Sequence, residues 1–166
     1  MRNDRCPLYG PVIRIKHPIS MSSETALPPN ATPYDRIGGE PAVRALVKRF
    51  YALMDALPEA WTVRRMHAAD LAGSEEKLFL FLSGWLGGPN LYVERYGHPF
   101  LRARHMPFSI GVQERDEWML CMRTALEEFV ADAALRSSLL SAFSSLANHM
   151  RNRPEFASDQ PSSQSL

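Results

Sequence analysis

Apolar residues in the middle of the chain recur at steps of three and four, the spacing of a helix that buries one face. The first such segment follows Gly38 and Gly39, and Pro41 suits its first turn. Pro58 is expected to end this helix, because proline lacks the N–H that a helix interior needs. The apolar positions of this first helix are Val43, Leu46, Val47, Phe50, Tyr51, Met54 and Leu57.

Three further segments show the same helical period. A glycine pair, Gly87 and Gly88, is expected to end the first of them, and Asp132 to cap the start of the last. No window alternates apolar and polar residues as a strand does. The predicted fold class is therefore all-α, with four substantial helices. The apolar positions of the three segments are, in order, Leu71, Leu78, Phe81, Leu82 and Trp85; Val112, Trp118, Met119, Met122, Leu126 and Phe129; and Leu135, Leu139, Phe143, Leu146 and Met150.

Residues 87–110 interrupt this helical pattern with six glycines and prolines and show no clean helix. About two dozen residues without secondary structure are unusual in a compact domain unless the loop is functional or disordered. This segment also holds two histidines, three arginines and four aromatic residues. We therefore interpret it as a functional loop.

The two ends of the chain differ in composition from its middle. Residues 1–32 are rich in proline and carry no helical or strand period, which predicts a disordered extension. Residues 153–166 are polar and are expected to form a flexible tail. One folded domain is thus predicted over residues 33–152. Met21 is an alternative start codon, so the first twenty residues need not belong to the native protein.

Composition and charge exclude several classes of function. The formal net charge of +1 gives no electrostatic support for a nucleic-acid partner, and no polybasic run or long apolar segment favours a membrane. Two cysteines, Cys6 and Cys121, allow neither a disulfide framework nor a four-cysteine metal site. We interpret Cys121 as a small buried apolar residue. Prolines break up the first twenty residues, which argues against a signal peptide, and a cytoplasmic protein is expected.

Among the five histidines, His105 is the most interesting candidate for chemistry. His98 and His105 match no common zinc spacing, and no Glu-x-x-His pair repeats as in a di-iron bundle. Taken singly, His105 has an ordinary interpretation as a capping or surface residue, and Tyr51 and Trp118 as core aromatics. Together, one candidate metal ligand and two side chains whose donors need partners when buried suggest a haem pocket in an all-α domain.

The sequence resembles the group II truncated haemoglobins from Tyr34 to about Met150. Each matching stretch alone is a weak signal, whereas six of them in the right order are specific. The family fold is a two-over-two helical sandwich around non-covalent haem b. The stretches are residues 34–39 (YDRIGG), 49–51 (RFY), 70–78 (DLAGSEEKL), 85–89 (WLGGP), 97–108 (GHPFLRARHMPF) and 114–122 (ERDEWMLCM).

This resemblance implies a role for each matching residue. His105 is expected to ligate the haem iron, with Tyr51, Trp118 and His67 stabilising a ligand on the distal side. Arg104, and with weaker support Lys77, are expected to pair with haem propionates. The remaining residues expected to line or support the pocket are Ser74, Leu78, Phe81, Leu82, Trp85, Phe100, Met106 and Phe108.

The resemblance implies reversible binding of O₂ and other diatomic ligands, with slow O₂ release. Peroxidase-like or nitric-oxide dioxygenase-like activity is a further expectation, and it requires an external electron donor such as a reductase, since no flavin motif is present. Two alternatives stay open: a haem-based gas or redox sensor, and a haem-free helical interaction module. Either a monomer or a homodimer is compatible with the sequence.

Overall fold

The computed structural model describes residue 28 and residues 30–154, so the predictions for residues 1–27 and 155–166 lie outside the described residues. Within this part the chain is helical and contains no strand, which confirms the all-α prediction. The elements are α1 (Pro33–Ile37), α2 (Gly39–Ala56), a 3₁₀ turn (Pro58–Ala60), α3 (Trp61–Arg65), α4 (Ala72–Trp85), α5 (Leu91–Tyr96), α6 (Leu101–His105), α7 (Val112–Phe129) and α8 (Ala133–Met150).

The four predicted long helices correspond to α2, α4, α7 and α8, and several of their ends lie at the expected residues. α2 ends at Ala56, and Pro58 starts the 3₁₀ turn that follows. The Asp132 carboxylate accepts the N–H groups of Ala134 and Leu135 and so caps α8 as predicted. Helix α1 was not predicted, because five residues are too short to show a period.

Helix α2 lies at the centre of the packing, against α4 on one side and α7 on the other, while α7 packs against α8. One pair of long helices is α2 and α4, and the other is α7 and α8. Together the two pairs form the expected two-over-two arrangement. Phe50 of α2, Phe79 of α4 and Phe143 of α8 are almost completely buried. Burial of a side chain of this size stabilises the fold by roughly 1.5–3 kcal/mol. Cys121 is also fully buried, as predicted.

The prediction of a loop over residues 87–110 is wrong in one respect, because two short helices, α5 and α6, lie within it. Each is five or six residues long, which is too short for a hydrophobic period to be recognised. Gly88 lets the start of this segment pack against α1: an added Cβ there would lie 2.6 Å from the Tyr34 ring. A side chain at residue 88 would therefore force α1 away from the end of α4.

Residues at and just beyond the predicted limits of the folded domain make hydrogen bonds to its helices and loops. Thr32 forms a capping box with Asp35 at the start of α1, so it belongs to the folded body. At the other end the Asn152 amide donates to the carbonyls of Phe108 (2.7 Å) and His105 (3.2 Å). Arg153 donates to the Ser109 hydroxyl at 2.6 Å. Residues 152 and 153 thus hold the segment between α6 and α7 in place.

Across the described residues, no helix is both long enough and apolar enough to cross a membrane.

Candidate functional site

A cavity of about 580 Å³ lies between the two pairs of long helices and is closed along one side by α5 and α6. Its size is within the range of small-molecule and cofactor sites. Most of the predicted site residues share its wall. These are Tyr51, His67, Ser74, Lys77, Leu78, Phe81, Arg104, His105, Phe108 and Trp118.

Four residues that were expected to line or support the pocket do not line this cavity. Leu82 is fully buried in the core, and Trp85 packs against Phe143 with ring centroids 4.7 Å apart. Trp85 also stacks on Phe81, with ring centroids 6.4 Å apart, so it supports the wall from behind. Phe100 and Met106 are instead exposed, with 61% and 56% of their surface accessible. Met106 is next to His105 in the chain and points away from it, whereas Phe100 precedes α6 with a left-handed backbone (φ 42°).

His105 is the last residue of α6 and is partly buried in the cavity wall. Its Nδ1 lies 2.7 Å from the Leu101 carbonyl oxygen. Because a carbonyl only accepts, Nδ1 carries the proton and Nε2 keeps its lone pair. Histidines that ligate metals are commonly oriented in this way, with one ring nitrogen bonded to a backbone carbonyl and the other free. His105 thus has the orientation that a metal-ligating histidine needs, with Nε2 left for the metal.

Tyr51 lies on α2 and is only 7% exposed. Its burial raises the pKa of the phenol well above the ordinary value of 10, and the charge of Glu75 acts in the same direction. A hydrogen bond with the Ser74 side chain opposes this rise of the pKa. The phenol consequently stays protonated at physiological pH and keeps a proton to donate.

His67 follows α3 and faces Tyr51, with ring centroids 5.8 Å apart. Burial lowers the pKa of its imidazole, a hydrogen bond with the Val63 carbonyl partly offsets this, and the positive charge of Arg64 lowers it further. Its Nδ1 lies 2.9 Å from that carbonyl oxygen, so Nδ1 carries the proton. His67 is thus neutral at pH 7, and its Nε2 acts only as a hydrogen-bond acceptor.

Glu117 fixes the segment that carries His67, and sequence reasoning did not identify it. This buried carboxylate of α7 accepts the N–H of Val63 at 2.7 Å and the Gln113 amide at 2.9 Å. The backbone of Val63 therefore bonds Glu117 through its N–H and His67 through its carbonyl. A glutamate next to Trp118 on an amphipathic helix was a weak signal, because most glutamates are exposed.

Trp118 follows Glu117 on α7 and lines the cavity beside Tyr51. Phe50 packs between these two side chains, with its ring centroid 4.9 Å from that of Tyr51 and 5.1 Å from that of Trp118. The tryptophan N–H is a donor only. Tyr51 and Trp118 are accordingly two donors held in one wall of the cavity by a shared packing partner.

Cationic side chains contribute to the otherwise largely apolar wall. Arg104 and Lys77 both line the cavity and are solvent-exposed, as is expected for residues at its rim. The Arg104 Nε donates to the Pro99 carbonyl at 3.0 Å, which restricts its side chain. Arg115, Tyr92 and Tyr96 also line the cavity and were not among the predicted site residues.

These features fit a flat apolar group with acidic substituents and a metal at its centre. Within the described residues, no cluster of three or more His, Cys, Asp or Glu side chains is placed to hold a metal ion. The cavity instead combines one oriented histidine, a largely apolar wall and two exposed cations, Lys77 and Arg104, at its rim. A porphyrin would supply the other metal ligands, the apolar faces and the carboxylates that this set complements.

Comparison with known proteins gives a consistent result. A sequence model of the family described as bacterial-like globin matches residues 32–152. The chain is 37% identical over 123 residues to the group 2 truncated hemoglobin YjbI of Bacillus subtilis, covering 74% of this chain and 90% of that protein.

Solved structures are similar over the same region. The group II 2-on-2 hemoglobin of Agrobacterium tumefaciens is 52% identical with a TM-score of 0.72, covering 80% of this chain and 98% of that one. A cold-adapted truncated hemoglobin of Pseudoalteromonas haloplanktis TAC125 is 44% identical with a TM-score of 0.73, covering 75% and 100%.

Proposed function

The chain belongs to the bacterial-like globin family, as a group II truncated haemoglobin, and from this we propose that it binds O₂ and other diatomic gases reversibly at a His105-ligated haem b. Binding of haem and of small gas ligands is typical of this family. The observation that carries the specific assignment is the orientation of His105, whose Nδ1 is bonded to the Leu101 carbonyl in the wall of a 580 Å³ cavity.

Haem iron held by one histidine supplies an open coordination position for a diatomic ligand. In our proposal the chain's own residues bind and orient the haem. His105 Nε2 ligates the iron, while the bond from Nδ1 to Leu101 keeps the ring oriented and makes Nε2 more basic. Arg104 and Lys77 pair with the propionates at the cavity rim, where solvent reduces the cost of burying charge.

Tyr51 and Trp118 stabilise the bound ligand by donating hydrogen bonds to it. A ligand that gains negative charge on binding is held by preorganised donors, as an oxyanion is. Because His67 Nε2 has no proton at neutral pH, we assign donation to the tyrosine and the tryptophan rather than to this histidine. The role of His67 is then to accept a hydrogen bond at Nε2. In this way it can orient a water molecule or a donor beside the ligand.

Redox chemistry on the bound ligand is the second part of the proposal. Globin haem also reacts with nitric oxide and peroxide, and the protein selects among these reactions through the polarity of its distal wall. The three polar groups of Tyr51, Trp118 and His67 in an apolar cavity support such chemistry. An external reductant is required, so turnover depends on an added electron donor.

The test is an absorption spectrum of the full-length protein with haem, recorded oxidised, reduced, and reduced with carbon monoxide. We expect a Soret band that shifts with carbon monoxide and that is altered or lost in His105→Ala. His149→Ala is the matched control, since that exposed histidine lies at the end of α8 and does not line the cavity. Absence of specific haem uptake by the folded protein would overturn the proposal in favour of a haem-free interaction module.

A further inference from the structure

Eight aromatic rings form a continuous chain of contacts from the distal wall of the cavity, through the core, to the surface. Successive ring centroids along it are separated by 4.7 to 6.4 Å. It starts at Tyr51, which is buried, and ends at Tyr96, which is 41% exposed. We call this set the aromatic chain, and its members in order are Tyr51, Phe50, Trp118, Phe143, Trp85, Phe81, Tyr92 and Tyr96.

The order of residue types in the aromatic chain suits electron transfer. Tyrosine and tryptophan lose one electron far more readily than phenylalanine does. Phe50, Phe143 and Phe81 each stand between two oxidisable residues, so they are short bridges between places where an oxidising equivalent can reside. The last step joins two tyrosines directly, with the Tyr92 and Tyr96 centroids 5.2 Å apart.

The aromatic chain meets the cavity at both ends. Tyr51 and Trp118 line one part of the wall, and Phe81, Tyr92 and Tyr96 line another. An oxidising equivalent in the cavity can therefore enter the aromatic chain at Tyr92, or at Tyr51 and cross the core, and both routes reach Tyr96 through Tyr92. Since Tyr92 is 8% exposed and Tyr96 is 41% exposed, Tyr96 is the member at which a molecule too large for the cavity can react.

We propose that Tyr96 is a surface site at which phenolic one-electron donors are oxidised, with the aromatic chain carrying the oxidising equivalent out of the cavity. The proposal rests on the redox part of the proposed function and adds a substrate class and its site. Tyr96 is a catalytic residue in this scheme, because it reacts with the donor directly.

The chemistry balances with hydrogen peroxide as the oxidant. Once Tyr92 has given an electron toward the peroxide-derived oxidant in the cavity, Tyr96 restores Tyr92 with one electron and releases its own phenolic proton to water, forming a neutral phenoxyl radical. The Arg95 guanidinium, 5.4 Å from the ring centroid, opposes a radical cation and so couples electron loss to this deprotonation. A phenolic donor then returns one electron and one proton to Tyr96. Two such rounds supply two electrons, which with two protons reduce one peroxide to two waters and leave two donor phenoxyl radicals.

The first test locates the radical in the full-length, haem-loaded ferric protein. Hydrogen peroxide is added with a spin trap, and the trapped adducts are mapped by peptide mass spectrometry. We expect an adduct on Tyr96 that is lost in Tyr96→Phe and reduced in Tyr92→Phe, although the latter keeps Tyr96. Tyr34→Phe is the matched control, because Tyr34 neither lines the cavity nor belongs to the aromatic chain. Adducts confined to Tyr51 and Trp118 would contradict the proposal.

A donor that cannot enter the cavity tests the substrate class. Phenol groups attached to dextran are compared with free phenol as the electron donor for peroxide reduction. We expect Tyr96→Phe to lower oxidation of the dextran-bound phenol far more than oxidation of free phenol, because only free phenol can also react inside the cavity. Equal oxidation of the dextran-bound phenol by the wild-type protein and Tyr96→Phe would show that Tyr96 is not the surface site.

A haem-independent measurement separates failure of this proposal from failure of the proposed function. Azide radicals generated by pulse radiolysis oxidise tryptophan in the full-length protein carrying Trp61→Phe and Tyr51→Phe. This background leaves Trp85 and Trp118 as its tryptophans and removes the tyrosine next to Trp118 on the aromatic chain. We expect the tryptophanyl signal to decay into a tyrosyl signal at a rate independent of protein concentration. This conversion should be lost when Tyr92→Phe and Tyr96→Phe are added. Decay without a tyrosyl signal, or conversion that persists in the added variants, would overturn the proposal.

Discussion

At the scale of single residues, the chemistry of the cavity depends on which atoms carry protons. Burial keeps the Tyr51 phenol protonated, and the bond to Val63 keeps the His67 proton on Nδ1. The distal wall therefore presents donors from Tyr51 and Trp118 and an acceptor from His67. A histidine in the other tautomer would add a third donor and change how strongly an anionic ligand is held.

This assignment predicts the rate of O₂ release. A hydrogen bond to a charged acceptor contributes roughly 1.5–3 kcal/mol, and about 1.4 kcal/mol corresponds to a factor of ten. Tyr51→Phe combined with Trp118→Phe should therefore speed O₂ dissociation by at least one to two orders of magnitude, as measured by stopped flow. Tyr34→Phe should leave the rate unchanged. An unchanged rate in the double variant would refute the distal assignment.

At the scale of elements, α3 is held by α7 through one buried carboxylate. Helix α3 has five residues and cannot be stable alone. Glu117 of α7 accepts the Val63 N–H at 2.7 Å, and Gln113 of α7 donates to the Thr62 hydroxyl at 2.9 Å. The position of His67 relative to Trp118 thus depends on contacts between two helices that are far apart in the sequence.

Removing the carboxylate of Glu117 should destabilise the protein and free His67. Glu117→Ala leaves the Val63 N–H buried without its partner, which costs about 1–3 kcal/mol of unfolding free energy. Urea unfolding checks the stability, and ¹⁵N chemical shifts of the His67 ring check the tautomer. Glu117→Gln keeps an amide oxygen that can accept, so it should restore the Nδ1-protonated tautomer. A His67 tautomer unchanged in Glu117→Ala would show that Glu117 does not position this histidine.

At the scale of the whole molecule, the fold brings four long helices and three short ones, α3, α5 and α6, around the cavity. Residues 152 and 153 bond to the segment after α6 and so close the structure beside His105. The fold also buries ionisable groups in this cavity. Because His67 is one of them, the free energy of unfolding depends on pH.

Stability should fall in mildly acidic solution because of His67. Its pKa in the folded protein is lower than the ordinary value of 6.5, so the unfolded chain binds more protons as the pH falls below that value. The free energy of unfolding should therefore decrease as the pH falls from about 6.5 toward the lower folded-state pKa. Urea unfolding of the haem-loaded protein between pH 7.5 and 5, at about half-unit steps, measures this slope. His67→Phe should flatten it, whereas His149→Ala should not; equal slopes in the wild type and His67→Phe would contradict the expectation.

Hydrophobic period was enough to predict the long helices and several of their ends, because a helix of fourteen to eighteen residues repeats its pattern several times. It did not predict α5 and α6, since each completes fewer than two turns. For the same reason the segment around His105 looked like a loop, which we interpreted from its composition as functional; in the structure part of it lines the cavity.

The sequence by itself determined the all-α class, the four long helices and, through ordered motifs, the family to which the chain belongs. Only the tertiary structure decided that Phe100 and Met106 point to solvent, that Glu117 bonds the peptide carrying His67, and that Tyr96 ends a chain of aromatic contacts. The physical reason is that periodicity records which face of a helix is buried. The partner of a buried group, by contrast, comes from another element, 54 residues away for Val63 and Glu117.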